Sequence, residues 1–234
     1  MTAPLIVLHD VVKPYDGAVP LRVQRLEIGK GERLALGGVD AGAAETLVHL
    51  VTGAALADAG EVTIAGTNTR AIATDTAWLA SLDRFGIVTD RAVLIEKISV
   101  AANLALPLTL AIDPMSEATR TKVDAIAAEV ELAADRLDIP VTSLTPPERL
   151  RLHLARALAP DPELLILEHP TARLSDATAS AAFGRILDRV SHGRALAVFA
   201  LTTDDVFARA SGAVRCRLDV TSGKLRRRRF WQAI

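Results

Sequence analysis

Residues 144–175, LTPPERLRLHLARALAPDPELLILEHPTARLS, decide the fold. A double proline, Pro146-Pro147, opens this stretch and favours a helix start. Apolar residues then recur at helical spacing, at Leu150, Leu152, Leu154, Ala155, Ala157 and Leu158. Pro160 and Pro162 end the helix. The apolar run 164–167 that follows is too short for a buried helix and predicts a buried strand.

Polar residues follow this strand at once. Glu168 and His169 come directly after residue 167. Open α/β sheets place ligand chemistry at the carboxyl edge of their strands, so this pair is a candidate site. A histidine there can act as a general base near neutral pH, although a structural, hydrogen-bonded histidine is the alternative.

Length and composition indicate an ordinary globular α/β chain. Its 234 residues are 50% hydrophobic and can bury a sizeable core, either as one α/β domain or as one core with a small inserted subdomain. A net charge of −1 gives no global attraction to nucleic acid, and we expect no nucleic-acid partner. The single Cys216 excludes an internal disulfide and agrees with a cytoplasmic location. We expect no signal peptide and no membrane span.

The rest of the chain supplies more strands and helices. Alternating apolar and polar residues predict strands at 5–8, 21–28 and 33–36. The β-rich part continues at 61–64 and 78–90, and residues 195–201 predict a further buried strand. A helix is predicted over 113–139, with Asp113 or Ser116 as its N-cap. Residues 34–53, LALGGVDAGAAETLVHLVTG, predict a strand, a glycine-rich turn and a helix. Phosphate-binding loops of this kind carry a lysine for the β- and γ-phosphates, and this loop has none.

Residues 144–175 resemble the signature-to-Walker-B segment of the ATP-binding cassette (ABC) ATPases, written LSGGQxxRxxxARAL, a gap, four apolar residues, DEPT and xxLD. The chain keeps Leu144, Glu148 (often Gln in the family), Arg151, residues 155–158, Pro170-Thr171 and Leu174. The residues that touch nucleotide in that family differ here. Thr145, Pro146 and Pro147 stand in the signature, Glu168 replaces the magnesium-associated Asp, and His169 replaces the catalytic Glu.

The glycine-rich turn resembles the family's Walker A loop, GxxGxGK[ST]T, in an equally altered form. Aligning Thr46 with the family's threonine places Gly38 on the first glycine, Ala44 on the lysine and Glu45 on the magnesium-binding hydroxyl. Sliding by one residue pairs Gly37 with Gly42 and still finds no lysine. A carboxylate at Glu45, near the helix N-terminus, is expected to compete for the same N–H groups and to repel phosphate.

Three further positions match the family by spacing. The resemblance places Tyr15 where an aromatic ring stacks on adenine, Asp90 where the Q-loop has glutamine, and Thr203 where a histidine contacts the γ-phosphate. A tyrosine that only covers a turn is the alternative for Tyr15. These replacements imply an impaired nucleotide site with no catalytic residue at Glu168, His169 or Thr203, and with no resident metal.

The resemblance implies an α/β fold: a P-loop NTPase (RecA-like) core with an antiparallel β-subdomain and an inserted helical subdomain. We expect β-subdomain and core over 1–90, the helical subdomain over 91–150, core again over 151–225, and a basic tail over 226–234. A chain of this kind would sit at the inner face of the cytoplasmic membrane.

The implied function is a degenerate ABC subunit, a pseudo-ATPase that docks a membrane permease and a second ABC ATPase subunit, as homodimer or heterodimer. It would need no cofactor. The alternative is an ATP-binding, ATP-hydrolysing transporter subunit with unusual catalytic residues, for instance in lipid or lipoprotein trafficking, which would use ATP and magnesium. A third hypothesis is a partner-binding protein that uses the basic tail.

Overall fold

Two sheets and seven α-helices make up the part of the chain that this computed structural model describes, residues 3–89 and 91–227. The strands are β1 Ile6–Lys13, β2 Leu21–Ile28, β3 Arg33–Gly37, β4 Ala59–Ile64, β5 Thr67–Asn68, β6 Phe85–Val88, β7 Leu164–Glu168, β8 Ala197–Leu201, β9 Val214–Asp219 and β10 Lys224–Arg227. The helices are α1 Ala41–Val51, α2 Asp75–Leu82, α3 Val100–Ala105, α4 Glu117–Glu129, α5 Pro146–Leu158, α6 Ala177–Gly193 and α7 Asp205–Ala210.

The larger sheet is parallel at its centre. Its strand order is β10-β9-β3-β8-β7-β6, and every neighbouring pair from β9 to β6 runs parallel. The smaller sheet, β2-β1-β4-β5, is antiparallel throughout. The predicted fold class, an α/β core with an antiparallel β-subdomain and a helical insertion, is confirmed. The finer division of the chain into subdomains at residues 90, 150 and 225 stays a prediction.

The residues of strand β7 pack into the hydrophobic core on both faces of the larger sheet. All five of its residues are buried, as expected for a parallel strand covered on both sides. Leu165 and Leu167 pack into the cluster formed with α3 to α6, whereas Leu164 and Ile166 pack into the cluster formed with α1 and the smaller sheet. The period-two alternation of one short strand therefore joins both halves of the molecule.

Helix α5 begins and ends where the prolines predict. Pro146 and Pro147 are its first two residues, and Glu148 accepts a hydrogen bond from the Thr145 amide at 2.8 Å. Its apolar stripe is buried, including Leu152 and Leu154 at 0% exposure. The helix presses closely on β6, since a Cβ added to Gly86 would lie 2.3 Å from the Ala157 carbonyl oxygen.

Two predictions of secondary structure were wrong in detail, and one long helix was not predicted. Residues 75–82 form helix α2 rather than β structure, capped by Thr74; none of its residues is buried, so no apolar stripe marks it. The helix predicted over 113–139 is shorter, Glu117–Glu129, with Ser116 as N-cap, and Glu131 beyond it has a φ of 60°. Helix α6 was not predicted, although Phe183, Ile186, Leu187 and Val190 recur at helical spacing and are buried.

No helix in residues 3–89 and 91–227 combines the length and the apolarity that crossing a bilayer requires. The basic tail reaches the described part of the chain at Arg226 and Arg227, which lie in β10. The rest of it, residues 228–234, lies outside the described residues, as does Asp90.

Candidate functional site

The glycine-rich turn joins β3 to α1. Gly38 has a φ of +84°, and a Cβ there would lie 2.3 Å from the Leu218 carbonyl oxygen of β9. Glycine is therefore required at this position by both conformation and close approach. The remainder of the turn is short, because α1 already begins at Ala41.

Asp40 closes the N-terminus of α1. Its Oδ1 accepts a hydrogen bond from the Ala43 amide at 2.8 Å, and its carbonyl oxygen accepts one from the Ala44 amide at 2.9 Å. The amides that a phosphate-binding loop would direct at its ligand are thus partly satisfied by the chain itself. Asp40 was missed in the sequence, although an aspartate directly before a helix is a standard N-cap signal.

The position expected for the phosphate-binding lysine faces the core. Ala44 is 0% exposed and packs in the cluster that contains Leu36, Ile166 and Leu201. Thr46 is used within the helix, where its hydroxyl donates to the Gly42 carbonyl oxygen at 2.8 Å. Neither residue presents a cation or a free hydroxyl at the helix N-terminus.

Tyr15 lies against the turn. Its Cδ2 would be 3.0 Å from a Cβ built on Gly42, so the ring covers that glycine. Its hydroxyl approaches Asp40 Oδ2 at 3.5 Å. Burial and the neighbouring Asp40 carboxylate raise the pKa of the Tyr15 phenol. The structure therefore brings Tyr15, Gly42 and Asp40 together over the start of α1.

Glu45 does not compete for the helix N-terminus, so this sequence-based expectation was wrong. It lies more than one turn into α1 and bonds to Arg91, with 2.5 Å between Glu45 Oε1 and Arg91 Nη1. The second guanidinium nitrogen of Arg91 lies 2.5 Å from Glu168 Oε2 at the end of β7. Two of the predicted site residues are therefore joined by a third residue that the sequence pattern did not single out.

Arg91 could have been anticipated from topology. It follows β6 by three residues, and β6 pairs in parallel with β7, Val88 opposite Leu167. The carboxyl ends of adjacent parallel strands meet at one edge, so a residue just after β6 is placed near Glu168. What the sequence does not show is that α1 brings Glu45 to the same guanidinium.

His169 and Thr203 open into different cavities. His169 lines a groove of about 480 Å³ with residues of α5 and of the segment after β6. Thr203 lines a second cavity, of about 420 Å³, with Gly38 and Asp40. His169 has a φ of 41°, and its buried Nε2 has no hydrogen-bond partner among the described residues.

Asp204, next to Thr203, caps α7. Its Oδ1 accepts from the amides of Val206 at 2.9 Å and Phe207 at 3.0 Å, and its Oδ2 accepts from the Thr171 hydroxyl at 2.8 Å. Burial alone would raise the pKa of this carboxyl. The hydrogen bonds outweigh that effect and hold the pKa of Asp204 below its usual value.

The N-terminus of α5, which corresponds to the family's signature, is capped by the chain's own residues, as the N-terminus of α1 is. Leu144 is buried, and Pro146 and Pro147 have no N–H to offer to a ligand. Glu148 Oε2 accepts from the Thr145 hydroxyl at 2.7 Å as well as from its amide. Burial opposes ionisation of Glu148, but the Thr145 hydrogen bonds and nearby arginines prevail and lower the pKa of its carboxyl.

Comparison with known proteins identifies the family. A family model described as "ABC transporter" matches residues 21–172, well over half of the chain. Methionine import ATP-binding protein MetN 2 of Burkholderia mallei is 33% identical over 76% of this chain and 45% of its own length. The lipoprotein-releasing system ATP-binding protein LolD of Xylella fastidiosa is 27% identical over 97% of this chain and 93% of its own.

The ribose import ATP-binding protein RbsA of Jannaschia sp. is 28% identical over 87% of this chain and 39% of its own length. The chain thus spans less than half of the ribose and methionine proteins.

Solved structures show the same fold. A dimeric post-hydrolysis state of the ATP-binding cassette MJ0796 bound to ADP and Pi superposes with a TM-score of 0.75 at 23% identity, covering 96% of this chain and all of that one. The cbiO1 protein of Clostridium perfringens gives a TM-score of 0.76 at 18% identity, over 95% of this chain and 87% of its own. With the family model, the relatives and the fold in agreement, the chain belongs to the ABC transporter family.

Proposed function

We propose that this chain is a subunit of an ABC transporter complex that acts as a scaffold or regulator, with ATP binding and hydrolysis weak or absent. The observation that carries the proposal is the start of α1. Asp40 caps it, Tyr15 covers Gly42, and Ala44 is buried where the family has its lysine. A phosphate entering this site would meet a carboxylate rather than an ammonium group.

The missing lysine is expected to weaken phosphate binding by a measurable amount. One charge-assisted hydrogen bond contributes about 1.5–3 kcal/mol, so the missing lysine alone weakens phosphate binding by roughly tenfold to a hundredfold. The Asp40 carboxylate adds to this loss, because it both occupies an amide and repels a phosphate. Binding at millimolar nucleotide is therefore expected to be undetectable or very weak.

The second half of a composite site is altered as well. If the chain pairs with another ABC ATPase subunit, its α5 N-terminus would face the partner's nucleotide. Pro146 and Pro147 offer no amide there, and Glu148 presents a carboxylate already bonded to Thr145. A homodimer would then have two impaired sites, and a heterodimer would have one part missing from each site.

The proposed partners are an integral-membrane permease and a second ABC ATPase subunit, at the inner face of the cytoplasmic membrane. The names of the relatives support a transport complex, since they refer to import and releasing systems, and one solved relative is dimeric. Exposed apolar side chains support a docking role. Val93 is 77% exposed, Ile95 45% and Leu110 87%.

An ATP-binding, ATP-hydrolysing subunit is the second candidate. The relatives favour it, because each of the three named above is called an ATP-binding protein. A carboxylate, Glu168, also remains at the end of β7. In this reading His169 would act as the general base, with ATP and magnesium as substrate and cofactor.

Steady-state ATP turnover separates the two candidates. We would compare the purified chain with its His169→Ala variant, with magnesium and millimolar ATP. If the chain is a scaffold, we expect no ATP turnover above background in either protein. Turnover in the unaltered chain that is lost in His169→Ala would establish the second candidate and refute the first.

A further inference from the structure

One guanidinium holds two carboxylates from separate parts of the fold. Arg91 Nη1 lies 2.5 Å from Glu45 Oε1 on α1, and Arg91 Nη2 lies 2.5 Å from Glu168 Oε2 on β7. We propose that Arg91 is a tethered cation for this carboxylate pair and fixes residues 91–96 in one position whether or not nucleotide is present. The inference rests on the proposed function, because it concerns the same site, but it has its own test.

The cation between the two carboxylates stabilises the pair. Both groups contact the same guanidinium, so they lie close together, and the Glu168 side chain is only 8% exposed. Two ionised carboxylates at such separation repel each other unless a positive charge lies between them. The planar fork of an arginine suits this geometry, because its two nitrogens can each bond to a different oxygen.

The family resemblance gives these positions a further meaning. Glu168 and Glu45 stand where the family has its magnesium-associated aspartate and magnesium-binding hydroxyl. In this chain the cation that reaches both positions is a side chain of the protein. It is attached to the segment that leaves β6, so its charge cannot depart as a metal ion or a nucleotide can.

Hydrogen bonds hold residues 91–96 at two further positions, Val93 and Ile95. Arg156 of α5 donates to the Val93 carbonyl oxygen at 2.7 Å. Asn103 of α3, which is 0% exposed, accepts from the Ile95 amide at 2.9 Å and donates to the Ile95 carbonyl oxygen at 3.0 Å. The segment is therefore held at residue 91 by α1 and β7, at residue 93 by α5 and at residue 95 by α3.

The same segment forms one wall of the 480 Å³ groove. Ala92, Val93, Leu94 and Glu96 line it, opposite residues of α5 and His169. The contacts thus run continuously from Glu45 and Glu168 through Arg91 to the groove. Because this path consists of protein groups alone, the groove should keep its shape without nucleotide.

Hydrogen–deuterium exchange on the whole chain tests the proposal. We expect Arg91→Ala to speed exchange across residues 91–96 by about tenfold or more, since it leaves the buried Glu168 charge without this partner. The matched control is Arg84→Ala. Arg84 lies at the opposite end of β6, has similar exposure and pairs with Glu163 at 2.6 Å. It should leave exchange in 91–96 unchanged.

A manganese titration tests the role of charge rather than packing. In Arg91→Ala, Mn²⁺ should slow exchange in residues 91–96 again, because Glu45 and Glu168 can then share the metal ion. The double variant Arg91→Ala/Glu45→Gln should show no such rescue. Should Arg91→Ala not fold, Glu45→Gln alone changes a half-exposed side chain and should also speed exchange in the segment.

The proposal is overturned if Arg91→Ala exchanges like the unaltered chain, if Mn²⁺ gives no rescue, or if magnesium-ATP alters exchange in 91–96 of the unaltered chain. A separate result bears on the proposed function. If ATP binds while exchange in 91–96 stays constant, the claim of weak nucleotide binding fails and the Arg91 proposal stands.

Discussion

Asp40→Ala should change stability and anion affinity in opposite directions. The carboxylate caps α1 by accepting from the Ala43 amide at 2.8 Å, and its contact with the Tyr15 hydroxyl is long, at 3.5 Å. Replacing an N-cap aspartate by alanine costs about 1 kcal/mol, within a range of roughly 0.5–2 kcal/mol. We therefore expect the free energy of unfolding to fall by about 1 kcal/mol.

The same change should improve phosphate binding. It frees the Ala43 amide and removes a negative charge from the helix N-terminus, where such a charge interacts with the dipole by about 0.3–1 kcal/mol. The dissociation constant for ATP should then fall by about twofold to fivefold relative to the unaltered chain. NMR titration at ATP concentrations above the millimolar range, where binding too weak for calorimetry is still measurable, gives this ratio for both proteins, and urea unfolding measures the stability change.

Asp176→Ala is the matched control for this prediction. Asp176 caps α6 and accepts from the Thr178 amide at 2.7 Å, away from the start of α1. It should lose a similar amount of stability and gain no affinity for ATP. If Asp40→Ala loses no stability, or if both variants respond alike to ATP, then Asp40 does not close the phosphate site.

Three further outcomes are expected. Asp204→Asn should lower the free energy of unfolding by about 1 kcal/mol at pH 7. Hydrogen bonds outweigh burial and depress the pKa of Asp204, so the ionised carboxylate stabilises the fold above about pH 4 and this stabilisation is lost as the pH falls through the folded-state pKa. The free energies of unfolding of Asp204→Asn and of the unaltered chain, measured with urea, should therefore converge at low pH. Gly86→Ala should lower the free energy of unfolding by about 2 kcal/mol, because the new Cβ would press against the α5 backbone. Gly193 has open space around it, so thermal unfolding of Gly193→Ala should show no loss of stability. Arg194→Met removes the two hydrogen bonds, of 2.7 and 2.5 Å, that the guanidinium donates to the Glu129 carboxylate. The free energy of unfolding in urea should fall by about 2 kcal/mol, and a fall below about 0.5 kcal/mol would contradict a stabilising role for this ion pair.

Local patterns predicted the elements whose residues carry a strong period. Strand β7 and helix α5 were predicted closely, because an uninterrupted apolar run and a proline-bounded apolar stripe each specify one structure. Helix α2 was missed, since it buries no residue and so shows no period. Helix α4 was predicted too long, because Glu131 turns the chain in a left-handed conformation that its residue type does not signal.

The candidate site was predictable in position but not in its contacts. The strand–turn–helix pattern located Gly38 and Ala44, and the family resemblance supplied their counterparts. The pairing of Glu45 with Arg91 depends on how α1 lies beside the end of β6, which are more than 30 residues apart in sequence. A contact of that kind follows from tertiary packing, so spacing alone could not give it.

Calorimetric titration of magnesium-ATP into the purified chain shows whether the start of α1 binds nucleotide. Thermal unfolding at millimolar nucleotide provides an independent measurement. We predict no saturable heat and no shift in Tm while the protein remains folded. The contradicting result is saturable binding that disappears in Ala41→Asp, which adds a charge at the exposed first residue of α1 without entering the core. That result would mean that the start of α1 still holds phosphate, and the chain would then be an ATP-binding subunit.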